Sequence, residues 1–258
     1  MEFFKYQGTG NDFVIFDNRK DLFPKDDVKL INKICDRRFG IGADGLMLLE
    51  EADGFDFKMI YYNADGNPGS MCGNGGRCLV SFAQKLGLFK NSTRFRANGE
   101  PYTARVKNEQ VSLDMLDVEQ LEAFERHIFL DTGSPHHVQF ETNLKDFDVI
   151  SHGRRIRYGE PYNERGTNVN FVEQIDINTF KVRTYERGVE NETLSCGTGV
   201  TAVALVSHYL EKTQSEKVKI QTEGGELEVS FDFDNGKFTN ITLTGPATFV
   251  FKGEIEIK

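Results

Sequence analysis

The sequence is poor in several features that would assign it to a common class of protein. Its four cysteines in 258 residues are too sparse for a disulfide scaffold, so we expect reduced thiols. No segment approaches the roughly 18 consecutive apolar residues that a transmembrane helix requires. The N-terminus also lacks the basic and then apolar segments of a secretory signal. These absences predict a soluble, cytoplasmic protein with no membrane partner.

Positive charge is also in short supply. Acidic side chains number 40 against 31 basic ones, which gives a formal net charge of -9 and a pI near 5.2. Such a surface repels phosphate backbones, so nucleic acid is not expected as a partner. No C-x-x-C pair occurs, and the closest cysteines, Cys72 and Cys78, have five residues between them. A metal site is therefore not expected.

Nucleotide-binding loops are missing as well. The run GIGADG at 40–45 fits G-x-G-x-x-G, but the dinucleotide motif needs a strand before it and a helix after it. Here a helical pattern precedes the run and the strand-like LMLLEE follows it. The run GTGND at 8–12 lacks the Lys and Ser/Thr of a P-loop. Both runs are predicted to be glycine-rich turns.

The remaining patterns predict a mixed α/β protein. The runs DFVIFDN, GLMLLEE and FDFKMIYYN are typical of strands, whereas DDVKLINKICDRRF has apolar residues at helical spacing. One further helix is predicted to begin just after Cys72. Another, GTGVTAVALVSHYL, is apolar nearly all round, which indicates a helix enclosed by other structure. Cys35 and Cys78 lie on helix faces beside apolar neighbours and are predicted to be packing residues.

The sequence contains an internal repeat that divides the chain into two parts. The run YNADGNPGSMCGNGGRC has Tyr, then Gly, then Cys72, and YERGVENETLSCGTGVTA repeats that order with Cys196. A weaker repeat relates GTGNDF to GTNVNF. Two copies of strand, polar turn, cysteine and buried helix predict two related domains. We place them at 1–116, with the strand 247–258 returning to it, and at 117–246.

A cysteine at the start of a helix has a chemical use. The N-terminus of a helix favours a thiolate and lowers a cysteine pKa from near 8.5 toward neutrality. Glycines after the cysteine let a ligand approach free amides, which are donors for a carboxylate. If the loops of Cys72 and Cys196 face one cleft, one sulfur can remove an α-proton as thiolate while the other returns a proton to the opposite face. Such a pair inverts a stereocentre without an organic cofactor or a metal.

Other polar residues have two interpretations at this stage. His136, which follows Pro135, is either a histidine of a surface turn or a functional residue, as a base or a metal ligand. Glu186 and Arg187 form either a solvated charge pair or a recognition site for a substrate's ammonium and carboxylate groups.

Several ordered motifs resemble those of the diaminopimelate epimerase family: KYQGTGNDF, RRFGIGADG, YYNADGNPGSMCGNGGRC, GSPHHV, GTNVNF and YERGVENETLSCGTG. They cover essentially the whole chain. The resemblance implies conversion between LL- and meso-diaminopimelate, on the route to lysine and peptidoglycan. It also implies two pseudo-symmetric α/β domains, each a mixed sheet rolled around a central helix, no cofactor, and a homodimer.

The resemblance assigns roles to individual residues. It implies that Cys72 and Cys196 are the catalytic acid and base. The residues implied to hold the reacting carboxylate are Gly73, Asn74, Gly197 and Thr198. Those implied to bind the rest of the substrate are Asn11, Asn63, Asn168, Glu186 and Arg187, with His136 assisting near the reacting centre. Two positions depart from the family, Ser134 where many members have Asn and Gly45 where some have Gln.

Two alternatives to this function remain open. Proline racemases and hydroxyproline epimerases share the two-cysteine mechanism, but they typically have His after Met-Cys-Gly, where this chain has Asn74. A non-catalytic protein that binds small carboxylates would use the same glycine loops. We therefore predict an epimerase whose partner is a small, acyclic amino acid with a second charged end, recognised by Glu186 and Arg187.

Overall fold

The structure is a computed structural model that describes residues 1–69 and 71–257. The first elements along the chain are β1 (Glu2–Gly8), β2 (Asn11–Asp17), α1 (Val28–Cys35), β3 (Gly45–Glu50), β4 (Phe57–Asn63), α2 (Gly73–Lys85), β5 (Ser92–Ala97), β6 (Glu100–Lys107) and β7 (Gln110–Asp114). They are followed by β8 (Leu121–Ala123), β9 (Ile128–Asp131), β10 (Pro135–Phe140), a short 3-10 helix (Leu144–Asp146), α3 (Val149–Tyr158), β11 (Asn168–Asp176) and β12 (Thr179–Glu186). The last elements are β13 (Asn191–Thr193), α4 (Gly197–Tyr209), β14 (Lys217–Thr222), β15 (Gly225–Asp234), β16 (Lys237–Pro246) and β17 (Thr248–Glu254).

The chain folds into two compact units. Unit 1 comprises Met1–Leu113 and Gly245–Lys258, and unit 2 comprises Asp114–Thr244. The mixed α/β class predicted from the sequence is confirmed, since each unit combines strands with helices. The domain boundaries predicted from the sequence stay a prediction.

In unit 1 the strands pair in the order β17, β1, β2, β3, β4, β5, β6, β7. The pairs β2/β3 and β4/β5 are parallel, and the others are antiparallel. Parallel neighbours need a crossover connection. Helix α1 lies on the connection from β2 to β3, and α2 lies on that from β4 to β5.

Unit 2 repeats this topology. The pairs β10/β11 and β12/β14 are parallel, whereas β9/β10, β11/β12, β14/β15 and β15/β16 are antiparallel. Helix α3 lies on the crossover from β10 to β11, and α4 lies on that from β12 to β14. The two units therefore share one sequence of parallel and antiparallel pairs, with a helix at each corresponding crossover.

One helix in each unit is enclosed by strands. Helix α2 contacts β1 to β4, β6 and β17, and α4 contacts β9 to β12, β14 and β15. The apolar run that predicted an enclosed helix is confirmed, because residues 199–207 of α4 are all buried. Helix α2 is buried over residues 73–80, including its polar positions. These two helices begin directly after Cys72 and Cys196.

Other predictions can be compared directly with the structure. Cys35 and Cys78 are packing residues as predicted, with exposures of 3% and 0%. Burial raises the pKa of each of these thiols to about 12. The run at 40–45 is a turn that leads into β3, and Thr9 and Gly10 form the tight turn between β1 and β2 with φ angles of 50° and 84°. Among residues 1–69 and 71–257, no helix has the length and apolar character needed to cross a membrane.

Candidate active site

Cys72 occupies the N-cap position of α2. Its backbone is extended, with φ -105° and ψ 121°, and its sulfur accepts a hydrogen bond from the N–H of Gly75 at 3.5 Å. The first intrahelical bond runs from Gly76 N–H to the Cys72 carbonyl at 2.7 Å. The amides of Gly73 and Asn74 therefore precede the hydrogen-bonded ladder of the helix, as the first N–H groups of any helix do. This turn has the donors that a carboxylate needs.

Asn11 lies beside this sulfur. Its Oδ1 accepts from the Cys72 thiol at 3.6 Å and from Asn74 Nδ2 at 3.4 Å. Its Nδ2 donates to Asp44 Oδ2 at 2.6 Å. Because a carboxylate can only accept, this bond fixes which end of the Asn11 amide faces the sulfur. Asn11, Cys72 and Asn74, which the sequence assigned to one site, are thus in mutual contact.

Asp44, which holds the Asn11 amide, belongs to a cluster of ion pairs. Asp44 also bonds to Arg37 at 2.7 Å, and Arg37 holds both oxygens of Asp12 at 2.6 and 3.0 Å. Lys5 adds a second cation 2.6 Å from Asp12. Burial alone would raise the pKa of Asp12, but the hydrogen bonds from Arg37 and Lys5 outweigh it and lower the pKa to about 2. Asp12 is therefore ionised at neutral pH.

Asn63 ends β4, and its backbone pairs with Gly45 of β3. A Cβ at Gly45 would lie 2.5 Å from Tyr61 Cε2 and 2.7 Å from the Tyr62 carbonyl. The ring of Tyr61 thus fills the space that a larger residue at position 45 would need. The glycine that the resemblance marks as a departure at this position therefore leaves no gap here.

Cys196 is the N-cap of α4 and is 8% exposed. Its sulfur lies 3.5 Å from Thr198 Oγ1, which is 2.9 Å from His136 Nε2. His136 Nδ1 lies 3.1 Å from Asn170 Nδ2, and the same Nδ2 donates to the His137 carbonyl at 3.0 Å. Since a carbonyl only accepts, the Asn170 amide is fixed and Nδ1 of His136 is an acceptor.

The tautomer of His136 follows from this arrangement. A neutral ring with its acceptor at Nδ1 carries its hydrogen on Nε2 and donates to Thr198. The hydroxyl hydrogen of Thr198 is then available to the Cys196 sulfur. Burial, assisted by the positive charge of Arg187, lowers the pKa of His136 to about 3, so the ring is neutral at physiological pH. His136 is 0% exposed and lies in β10, so its interpretation as a surface-turn histidine is wrong.

Asn168 connects a second group of predicted residues. Its Nδ2 donates to Ser134 Oγ at 3.0 Å and to the Pro135 carbonyl at 3.1 Å, and its Oδ1 accepts from the N–H of Arg187 at 2.9 Å. Ser134, the second departure from the family, thus supports Asn168. Glu186, the last residue of β12, accepts from Thr193 Oγ1 at 2.9 Å.

The structure joins the predicted residues within each unit. In unit 1 it brings together Asn11, Cys72, Gly73 and Asn74, with Asn63 at the adjoining end of a neighbouring strand. In unit 2 it links Cys196 through Thr198 to His136, and Asn168 to Arg187. Their roles in catalysis and binding remain predictions.

Two residues with a place in these networks were missed by the sequence analysis. Asn170 is 0% exposed and fixes the ring of His136, and the alternation in NVNF, which puts it on the same face of β11 as Asn168, could have indicated it. Arg77 is 0% exposed and donates to Asn74 Oδ1 at 3.1 Å. No signal in the sequence marks it as buried. Among residues 1–69 and 71–257, no group of three or more His, Cys, Asp or Glu is arranged to hold a metal ion.

Comparison with solved structures defines the class of fold. A phenazine biosynthesis protein of the PhzF family from Bacillus anthracis superposes with a TM-score of 0.80, at 15% sequence identity, covering 100% of this chain and 99% of that one. At this identity the likeness shows the fold alone. The chain thus has the α/β fold of that class, with a cysteine at the start of the enclosed helix in each unit.

Comparison of sequences defines the family. The family profile described as Diaminopimelate epimerase matches residues 3–120 and 128–250. The diaminopimelate epimerase of Flavobacterium psychrophilum is 55% identical over 256 residues, which cover 99% of this chain and 100% of that protein. That of Chlorobaculum tepidum is 45% identical over 260 residues, with 97% and 99% covered. The chain belongs to the diaminopimelate epimerase family and is an isomerase.

Proposed function

We propose that the protein interconverts LL- and meso-diaminopimelate with Cys72 and Cys196 as its acid and base. Membership of the family supports the reaction. The observation that carries the assignment of the two cysteines is their shared position. Each is the N-cap of an enclosed helix at the corresponding crossover of its unit, followed by Gly-x-Gly. The proposal requires that both helix N-termini reach one bound substrate.

The chemistry transfers one proton at a time. The thiolate of one cysteine takes the α-hydrogen as a proton, and the electron pair of the broken C–H bond passes into the adjacent carboxylate. The thiol of the other cysteine then delivers its proton to the opposite face of the carbon, which inverts the centre. The two sulfurs exchange protonation states in each turnover, so the reverse reaction needs the same two groups.

Backbone amides in the first turns of α2 and α4 are proposed to stabilise the carbanion. Amides of Gly73 and Asn74 on α2, and of Gly197 and Thr198 on α4, are aimed along helix axes whose N-termini favour negative charge. Charge builds on the reacting carboxylate only as the C–H bond breaks, so these donors act most strongly on the transition state. Asn11, Asn63, Asn168, Glu186 and Arg187 are proposed to bind the distal amino and carboxylate groups.

The proposal extends to the organisation of the protein. We propose that 1–116 with 247–258, and 117–246, are its two domains and that it acts in the cytoplasm as a homodimer, without an organic cofactor or a metal. The duplicated topology supports the two domains, and the small number of cysteines, four in 258 residues, supports a reducing compartment.

Exchange in heavy water tests the reaction. With LL-diaminopimelate, the protein is expected to place deuterium at one α-carbon and to form the meso isomer, as read by mass spectrometry and chiral chromatography. Cys72→Ala and Cys196→Ala should each abolish inversion while still binding the substrate. Cys35→Ala, at a buried thiol that ends α1, is the matched control and should retain turnover.

Other outcomes would identify the alternatives. Inversion of proline or hydroxyproline, with none of diaminopimelate, would assign a racemase of cyclic substrates. Ligand binding without deuterium incorporation by the native protein would assign a non-catalytic binding protein. Either result would overturn the proposed substrate.

A further inference from the structure

A fully buried arginine lies beneath the first turn of α2. Arg77 is 0% exposed and stands five residues after Cys72. Its hydrogen-bond acceptors are neutral oxygens: the Gly73 carbonyl at 3.4 Å, Asn74 Oδ1 at 3.1 Å, Thr9 Oγ1 at 3.3 Å and the Pro246 carbonyl at 3.5 Å. Within residues 1–69 and 71–257, no carboxylate is paired with it.

A buried cation without a carboxylate is costly unless another anion offsets it. Burial lowers the pKa of Arg77, but a guanidinium remains protonated in a protein. The ionisable groups that act on it are Cys78 and Cys72. Burial raises the pKa of Cys78 to about 12, so that thiol is neutral at physiological pH. Cys72 is therefore the group whose ionisation would compensate the charge of Arg77.

The equivalent position in unit 2 carries no charge. Thr201 stands five residues after Cys196, is fully buried, and donates to the Gly197 carbonyl at 3.1 Å. This is the counterpart of the bond from Arg77 to the Gly73 carbonyl. Each enclosed helix thus has a side chain that holds its first carbonyl, but only the side chain in unit 1 is a cation.

Two neutral groups that contact Cys72 act on it in opposite directions. Gly75 N–H donates to the sulfur and favours the thiolate, whereas Asn11 Oδ1 accepts from the thiol and opposes it. The nearby carboxylates of Asp12 and Asp44 are paired with cations, Asp12 with Lys5 and Arg37 and Asp44 with Arg37. Arg77 reaches the Cys72 thiol geometrically, because it donates to Asn74 Oδ1 while Asn74 Nδ2 donates to the same Asn11 oxygen that faces the Cys72 sulfur. Its full positive charge favours the thiolate.

We propose that Arg77 is a positioning residue that stabilises the thiolate of Cys72, so that this cysteine ionises before Cys196 in the free enzyme. It acts through charge and through Gly73 and Asn74, whose oxygens it holds. The catalytic meaning of this asymmetry rests on the proposed function, but the asymmetry itself is a property of the two thiols and is measured without substrate.

Alkylation tests the proposal. The rate of iodoacetamide modification is followed at each cysteine by peptide mass spectrometry between pH 5.5 and 10, on the full chain. In the native protein the midpoint for Cys72 is expected below that for Cys196. Arg77→Met should raise the Cys72 midpoint by about one pH unit, which slows its alkylation about tenfold at pH 7, and should leave the Cys196 midpoint unchanged. Arg77→Lys keeps the charge and should shift the midpoint less.

The matched control is Thr201→Val. This variant removes the corresponding bond in unit 2 without removing a charge, and it should move neither midpoint. A folded Arg77→Met protein with an unchanged Cys72 midpoint would reduce Arg77 to a packing role and overturn the proposal. If that variant does not fold, the native protein decides, because a Cys72 midpoint at or above that of Cys196 also overturns it. Failure to epimerise diaminopimelate would leave this result intact.

Discussion

The third residue after each of the two proposed catalytic cysteines is a glycine, and the two glycines have different neighbours. A Cβ at Gly199 would lie 2.5 Å from Asn170 Oδ1, whereas a Cβ at Gly75 would lie 3.2 Å from Met47 Sδ. Asn170 is fully buried and accepts a hydrogen bond from Thr184 Oγ1 at 3.0 Å, so it has little freedom to move. A methionine side chain is flexible and adapts to a small displacement.

The same substitution should therefore have unequal effects at these two positions. Gly199→Ala is expected to cost about 1–3 kcal/mol of stability, the usual range for overpacking. It should also lower turnover about tenfold or more, because displacing Asn170 disturbs the geometry of His136 and Thr198. Gly75→Ala, the matched control, should cost less than about 1 kcal/mol. Urea unfolding and initial epimerisation rates measure both, and equal effects would contradict a rigid Asn170.

At the residue scale, the local sequence predicted where the two enclosed helices begin better than it predicted burial. The Gly-x-Gly runs after Cys72 and Cys196 predicted helix N-termini, because that signal lies within a few neighbouring residues. Burial of Arg77 and His136 depends on strands that come from distant parts of the chain. An arginine on a helix is normally solvated, and a histidine after proline is normally in a turn. Only the assembled sheet reveals these exceptions.

At the scale of a single element, β10 places two histidines next to each other in the interior of unit 2. His137 lies 3.1 Å from Tyr162 Oη and 3.1 Å from Gln139 Oε1, and its ring stacks on His127 at 3.9 Å. Burial, with the neighbouring His127 and against the hydrogen bond to Gln139, lowers the pKa of His137 to about 3, and burial lowers that of His136 to about 3. Both rings are therefore neutral in the folded protein at physiological pH.

Stability should consequently fall in mild acid. Below the unfolded pKa of about 6.5 the unfolded chain binds protons that the folded rings exclude, so the free energy of unfolding decreases as the pH falls toward 3. Each ring contributes about 1.4 kcal/mol per pH unit in that window. His137→Gln should reduce the loss between pH 6 and pH 5 by about 1 kcal/mol, as measured by urea unfolding, while His136 and the other histidines whose pKa burial lowers, His127 and His208, continue to contribute. The same substitution at His152, outside β10, is the control, and an unchanged slope in His137→Gln would contradict the assignment.

Whole helices and strands could be predicted only where the local sequence carried a strong hydrophobic or β-rich pattern. Helix α4 was predictable because it is apolar on almost every side, and the strands β2, β3 and β4 because they are β-rich. Helix α3 was missed. Its sequence VISHGRRIRY is polar overall, and it is held against β12 by Gly153, where a Cβ would lie 2.4 Å from Tyr185 Cβ. That close approach is a property of the packed helix and strand, which no local pattern records.

At the scale of the molecule, the duplicated topology is more complete than the duplicated sequence. The repeat in the sequence is confined to the cysteine loops and to the runs GTGNDF and GTNVNF. The order of parallel and antiparallel strand pairs, in contrast, repeats through both units. Strand order is fixed by pairings between distant segments, so the sequence predicted two related halves without the order of their strands.

Unit 1 is built from two separate stretches of the chain, and β17 joins them. β17 pairs with β1 from Glu254 opposite Glu2 to Thr248 opposite Gln7. Phe249 packs on Tyr6 with ring centroids 5.5 Å apart, and Tyr6 packs on Phe82 of α2 at 6.0 Å. The last strand of the chain is therefore in a position to stabilise the helix that carries Cys72.

Removal of residues 247–258 should accordingly loosen unit 1. Losing the ring contacts of Phe249 and Phe251, which are 38% and 45% exposed, together with the β1 pairing, is expected to cost on the order of 3 kcal/mol. Hydrogen exchange should then become faster at the amides of β1 and α2, while those of α4, enclosed by the strands of unit 2, keep their protection. Deletion of residues 256–258 leaves β17 in place and serves as the control. Equal loss of protection in α2 and α4 would show that the two units unfold as one, and unchanged protection in α2 would show that β17 contributes nothing to it.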